Sequence, residues 1–171
     1  MSRIRVAIVG IGNCASSLVQ GTSFYAENPS APGLITRSVA GYSASDVDYV
    51  LGIDVDSRKV GKDLAEAIYA APNNTRQVVE KVAKTGVTVM RGAVLDGVAE
   101  HMTHAGERGF SIAEGADATR AEIVAALRDS RTDVLLNFLP VGSQEATEFY
   151  MECALEAKVG VVNCIPVFIA S

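Results

Sequence analysis

Ile4-Arg5-Val6-Ala7-Ile8-Val9-Gly10-Ile11-Gly12-Asn13-Cys14-Ala15 is the stretch on which the reading of the whole chain turns. Its first six residues form a short, β-branched, apolar-rich run, the composition of a parallel strand buried on both faces. Cys14 to about Tyr25 then has the spacing of a helix, with Leu18, Val19 and Phe24 available for its buried stripe. The corner between them fits G-x-G-x-x-[G/A], and each small residue has a task. Gly10 lets the chain turn sharply off the strand. Gly12 lets a diphosphate approach the backbone. Ala15 lets the helix pack close to the strand. The helix start directs unpaired N–H groups and a partial positive charge at the same place. Glycine-rich turns are common, but one set between a strand and a helix is the context that marks a dinucleotide cradle.

Working outward, strands are expected at 47–53, 87–90, 134–139 and 159–164. Helices are expected from Asp56 or Ser57 to about Ala70, from the turn at Pro72–Thr75 to Lys84, after the capping-box pair Thr119 and Glu122 to about Asp129, and from a cap at Ser143 to about Lys158. A further short helix is marked near Val98–His104. Residues 27–46 are dotted with Pro, Gly and Ser and read as an excursion, not a domain boundary. The alternation of strand and helix predicts one α/β domain over residues 1–171, a doubly wound parallel sheet of Rossmann type.

Bulk properties narrow the function. The 171 residues are 49% hydrophobic and 20% charged, as in a chain with a substantial core. The net charge of −5 and the lack of a basic run argue against nucleic acid. No apolar run nears the length of a membrane span, and the N-terminus lacks the pattern of a secretory signal. Cys14, Cys153 and Cys164 are odd in number and scattered, which fits a reducing cytoplasm better than disulfides or zinc. His101 and His104 read as surface residues, and no metal site is expected.

The acidic residue that grips an adenosine ribose usually follows the glycine motif by about 20 positions. Here the candidate is Asp54, 42 residues beyond Gly12, with the 27–46 excursion accounting for the excess. A carboxylate there favours NAD over NADP, although Asp56 could take its place and Arg58 and Lys59 keep NADP in view. Asn137–Ser143 should form the opposite wall, because that strand neighbours the first across the sheet's switch point. Ser143 can cap the helix or reach a phosphate, and Asn163 at the next strand end can face the nicotinamide. Cys14 is read as a small residue beside the cofactor, not as a nucleophile.

Taken together, Gly10–Gly21, Asp54-Val55-Asp56, Asn73-Asn74-Thr75, Arg91-Gly92 with Leu95-Asp96-Gly97, Leu139–Ser143 and Pro166–Ser171 resemble, in this order, the bacterial and archaeal-type myo-inositol-1-phosphate synthases. The likeness runs from about Arg5 to the last residue. It implies an NAD-dependent isomerase of inositol and phospholipid biosynthesis that converts D-glucose 6-phosphate to 1D-myo-inositol 3-phosphate, a cytoplasmic homo-oligomer, and by family a tetramer. It further implies that Gly10, Gly12, Asn13 and Cys14 line the pyrophosphate and that Asp54 holds the ribose. Asn74, Leu139, Pro140 and Val141 would line the rest of the cleft, with Asn163 and Pro166 near the nicotinamide. The family's catalytic lysines lie in a portion with no counterpart here, so no catalytic residue is assigned. The apolar end, Pro166–Ser171, suits a docked segment better than a solvated tail, so the chain reads as a fragment or one piece of a split protein. On that reading it binds NAD and does not turn over substrate by itself. Two rivals share the cradle: a small-molecule NAD-dependent oxidoreductase and a non-catalytic NAD-binding module.

Overall fold

The computed structural model describes residues 3–98, 100–103, 106 and 109–169. Five strands, β1 (Ile4–Val9), β2 (Val47–Asp54), β3 (Met90–Arg91), β4 (Val134–Asn137) and β5 (Gly160–Asn163), form one sheet in the order β3-β2-β1-β4-β5. Every pairing is parallel. The helices are α1 (Asn13–Glu27), α2 (Leu64–Ala67), α3 (Glu100–Thr103), α4 (Arg120–Asp129) and α5 (Gln144–Ala157). A 3-10 turn, Ala44–Asp46, leads into β2.

Strand periodicity builds two cores. Val6 and Ile8 of β1 face one side, where Ile11, Ala15 and Val19 of the corner and α1 meet Leu64 and Ile68. Ala7 and Val9 face the other, against Ile123 and Leu127 of α4 and Tyr150 and Ala154 of α5. Ile123 and Leu127 are fully buried, and each such side chain contributes about 1.5–3 kcal/mol of hydrophobic stabilisation. The capping box at Thr119 and Glu122 forms as expected: each side chain accepts from the other residue's backbone N–H. The excursion at 27–46 is mostly exposed.

Several local expectations give way to long-range hydrogen bonds. The helix expected from Asp56 or Ser57 to Ala70 shrinks to Leu64–Ala67. Asp56 spends its carboxylate on the backbone N–H groups of Arg58 and Ser111, and Gly61 takes a positive φ of 81°. Asp63 caps α2 instead, accepting from the Ala65 amide while also holding Thr85 and Gly86. No helix forms at 76–84, because the buried Gln20 side chain accepts the amides of Val78 and Val79. The third strand shifts from 87–90 to Met90–Arg91. Val87 and Val89 are already paired with the backbone of residues 61–64. On α1 the fully buried positions are Ala15, Ser16, Val19 and Gln20, while Leu18 and Phe24 are only half-buried. β4 stops at Asn137, whose side chain accepts the Leu139 amide and turns the chain out of the sheet.

Candidate dinucleotide-binding site

The sheet order puts the switch point between β1 and β4, and ligands of such sheets bind outside the strand carboxyl ends there. A cleft lies at that place, with about 750 Å³ of space that is partly open to solvent. Its wall includes Gly10, Gly12, Asn13, Asp54, Leu139 and Pro140 of the sequence-predicted set, from three strand ends. Cys14, Asn74, Val141, Ser143, Asn163 and Pro166 are not among its lining residues.

The two glycines of the corner differ physically. Gly10 has φ of 87°, and a Cβ there would lie 2.6 Å from the Phe138 carbonyl oxygen. Its lack of a side chain is required by the fold itself. Gly12 has extended backbone, φ −90° and ψ −158°, which any residue can adopt. A Cβ on Gly12 would meet nothing within 4 Å. Packing among the described residues therefore does not demand a glycine at position 12, whereas a ligand against the backbone does. Among the described residues no side chain caps α1, and the amides of its first turn have no partner there beside that opening.

Asp54 is buried, and both its oxygens serve the backbone. Oδ2 accepts the Ile11 amide at 2.6 Å, and Oδ1 accepts the amides of Val55 and Asp56 at 2.8 and 2.9 Å. A carboxylate oxygen has two lone pairs, so Oδ1 is fully used and Asp54 retains one acceptor site, on Oδ2, while bracing the corner. Arg58 is committed to Asp56: Nε donates to Oδ1 at 2.8 Å and a terminal nitrogen to Oδ2 at 2.6 Å. Burial alone would raise the Asp56 carboxyl, but the Arg58 guanidinium and the amides of Ser111 and Arg58 hold it below the usual range.

The second strand-to-helix corner is closed. Ser143 does not cap α5; its hydroxyl donates to the Pro140 carbonyl at 2.5 Å. Asp96 takes the cap from a distant loop, accepting the amides of Glu145 and Ala146 at 2.8 and 2.9 Å. Asn163 is likewise consumed. Its amide nitrogen donates to the carbonyls of Ile165 and Val167, and its oxygen accepts from Asn137. Val141 is exposed, and Cys14 is an exposed residue of the first turn of α1. Asn74 meets the corner through its backbone, its N–H donating to the Asn13 side chain at 2.9 Å.

Lys59, Asn73 and Tyr150 are polar lining residues outside the sequence-predicted set. Lys59 and Asn73 lie beneath the glycine corner, and Tyr150 comes from the middle of α5. The Tyr150 hydroxyl accepts the Ala93 amide at 3.0 Å, and burial pushes its pKa up to about 12, so it remains a protonated donor at neutral pH. Asn73 stands inside a quoted motif, which was a usable signal. Nothing local distinguished Lys59 or Tyr150 from surface charge and core aromatic. His101 falls on α3, and His104 lies outside the described residues. Among the described residues no three His, Cys, Asp or Glu gather as a metal set, and no helix is long and apolar enough to cross a membrane.

A parallel sheet in this strand order, with helices on both faces and a glycine corner at its switch point, defines an α/β domain of the Rossmann type. No protein-family model matches the chain. Inositol-3-phosphate synthases from Mycolicibacterium smegmatis, Mycobacterium tuberculosis and Corynebacterium glutamicum are 47%, 45% and 43% identical to it over 98%, 99% and 99% of its length. Those matches cover 45%, 45% and 46% of the relatives. The chain is a homologue of the inositol-3-phosphate synthases and spans about half the length of the curated relatives it matches. Among solved structures, the crystal structure of Ari2 superimposes with a TM-score of 0.77 at 32% identity, over 98% of this chain and 47% of that one. A myo-inositol-1-phosphate synthase-related protein from Thermotoga maritima shares the fold, with a TM-score of 0.66 at 20% identity over 98% of this chain and 49% of that one.

Proposed function

We propose that this chain binds NAD in the cleft at the β1–β4 switch point and forms the NAD-binding part of an inositol-3-phosphate synthase acting on D-glucose 6-phosphate. The observation that carries the reading is Gly12: a glycine that packing does not require, open above its backbone, at the uncapped start of α1. The kinship with inositol-3-phosphate synthases supplies the reaction class. NAD, when bound, supplies reversible hydride acceptance, which lets a sugar carbon be oxidised and reduced again within one turnover.

The chain's own residues supply binding and orientation. The amides of Gly12 and the first turn of α1 take the diphosphate. Asp54 receives ribose hydroxyls and repels a 2′-phosphate, and Arg58, engaged by Asp56, leaves that repulsion standing. NAD is therefore favoured over NADP. Leu139 and Pro140 form the apolar far wall, and Tyr150 offers a hydroxyl proton at the floor. The same reading makes the complete enzyme a cytoplasmic homo-oligomer, for which exposed Leu155 and Phe168 are apolar surface to cover.

Thermal unfolding of the 171-residue chain with increasing NAD and NADP tests this. At 100 times its dissociation constant, NAD should stabilise the fold by about 2.7 kcal/mol, with NADP needing higher concentration. An unfolding temperature unmoved by millimolar NAD would remove the reading. The chain alone should form no inositol phosphate from D-glucose 6-phosphate. Net NADH accumulation with a sugar phosphate would mark a dehydrogenase instead.

A further inference from the structure

Lys59 is 1% exposed, although a lysine is almost never buried unless it is paired. Its Nζ donates to the Ile11 carbonyl at 2.7 Å and to the Asn73 side-chain oxygen at 3.0 Å, and lies 3.9 Å from Asp54 Oδ2. Asn73 Nδ2 donates to the same Ile11 carbonyl at 3.0 Å. Stability alone is a poor reason for this arrangement, since a buried ion pair can usually be replaced by apolar groups at no loss. What the cluster grips is telling. Ile11 stands between the two glycines of the motif, and all three side chains hold its backbone: Asp54 its N–H, Lys59 and Asn73 its C=O.

The Ile11–Gly12 peptide is trans, so its carbonyl and its N–H point to opposite sides. With the carbonyl pinned by two donors, the Gly12 N–H is turned away from them. We infer that Lys59 and Asn73 are positioning residues that lock the Ile11–Gly12 peptide so that the Gly12 amide is presented to the ligand's diphosphate. This rests on the NAD reading above and gives it a cause: the cradle is held open by a buried ammonium and an amide before any ligand arrives. Preorganisation of this kind spares the ordering cost on binding. Without the lock, the peptide can flip and present a carbonyl, which repels phosphate. Lys59 faces Asp54, Asp56 and Arg58; burial lowers the pKa of its ammonium, and the two carboxylates counter that.

The test separates a lock from mere structural support by comparing ADP with adenosine. Both carry the same base and ribose, and only ADP meets the peptide in question. Dissociation constants are measured by calorimetry for the 171-residue chain, Lys59→Met and Asn73→Ala. In the wild type ADP should bind more tightly than adenosine. Lys59→Met should weaken ADP by about 10- to 100-fold, and by more than it weakens adenosine, whose ribose also meets the altered Asp54; Asn73→Ala should weaken ADP by roughly 3- to 10-fold with adenosine unchanged. Lys59→Met leaves Asp54 without its cation and can fail to fold; Asn73→Ala, which leaves the ion pair intact, then decides. Equal losses for ADP and adenosine, or an unchanged ADP constant in Asn73→Ala, overturn the lock while leaving NAD binding standing. A wild-type chain that binds neither NAD nor ADP overturns both.

Discussion

The two strand-to-helix corners that flank the switch point, β1–α1 and β4–α5, share an architecture and differ in what their helix starts do. At the first, no side chain caps α1 and the space over Gly12 is open. At the second, Asp96 occupies the first-turn amides of α5, and Ser143 is turned onto Pro140. Both helices carry the same partial positive charge at their starts. One has it neutralised by the chain's own carboxylate, and the other, among the described residues, does not. The lesson is that a serine before a helix need not cap it: a carboxylate from a distant loop can take the first-turn amides instead.

The comparison can be broken hardest at Gly10. Gly10→Ala should cost roughly 2–5 kcal/mol of stability, because the residue would keep a left-handed φ and push against the Phe138 carbonyl. Chemical denaturation reads this directly. A wild-type midpoint for Gly10→Ala would mean the corner is looser than the Phe138 contact implies. Gly12→Val should do the reverse. Stability should stay within about 1 kcal/mol of wild type, while NAD affinity falls by about 100-fold or more, or roughly 2.7 kcal/mol. Equal NAD binding by this variant would show that the diphosphate does not lie over Gly12.

The closed corner is tested by Asp96→Ala. Loss of the cap should destabilise by about 1 kcal/mol, read as a lowered unfolding temperature. It should also free the amides of Glu145 and Ala146, so sulfate should stabilise this variant more than the wild type. If sulfate acts equally on both, the cap is not what closes that corner. The last test concerns pH. Burial pushes the Tyr49 and Tyr150 hydroxyls up to about 12, so the folded chain keeps protons that the unfolded chain sheds near 10. The stability from these protons is fully present below pH 10 and is lost as pH rises through about 12. Tyr49→Phe, away from both corners, should flatten part of that loss, and an identical alkaline profile would show that Tyr49 does not contribute to it.

The readable parts of the molecule were those whose signal is compact along the chain. The Ile4–Val9 run, the Gly10–Ala15 corner and the Thr119–Glu122 box each carry their sequence signal within a few adjacent residues, and each forms in place. The elements misjudged were those whose backbone groups are claimed from afar. Gln20 takes the amides at Val78 and Val79, and residues 61–64 take the strand pairing of Val87 and Val89. The site divides the same way. Gly10, Gly12, Asn13, Asp54, Leu139 and Pro140 line the cleft because they sit at strand ends, which periodicity locates. Asn163 and Ser143 also end a strand or open a helix, yet their polar atoms are taken by neighbours.

By itself the order of residues determined a parallel α/β sheet, the corner where a diphosphate could lie and the kinship with inositol-3-phosphate synthases, because strand periodicity, glycine spacing and motif order are written locally along the chain. Only the folded arrangement decided which helix start remains free, which carboxylate braces the loop and that Lys59 lies beneath it. Those outcomes depend on hydrogen bonds between residues 43 to 50 positions apart, and a buried donor or acceptor takes whichever partner the fold brings within about 3 Å, not the one nearest in sequence.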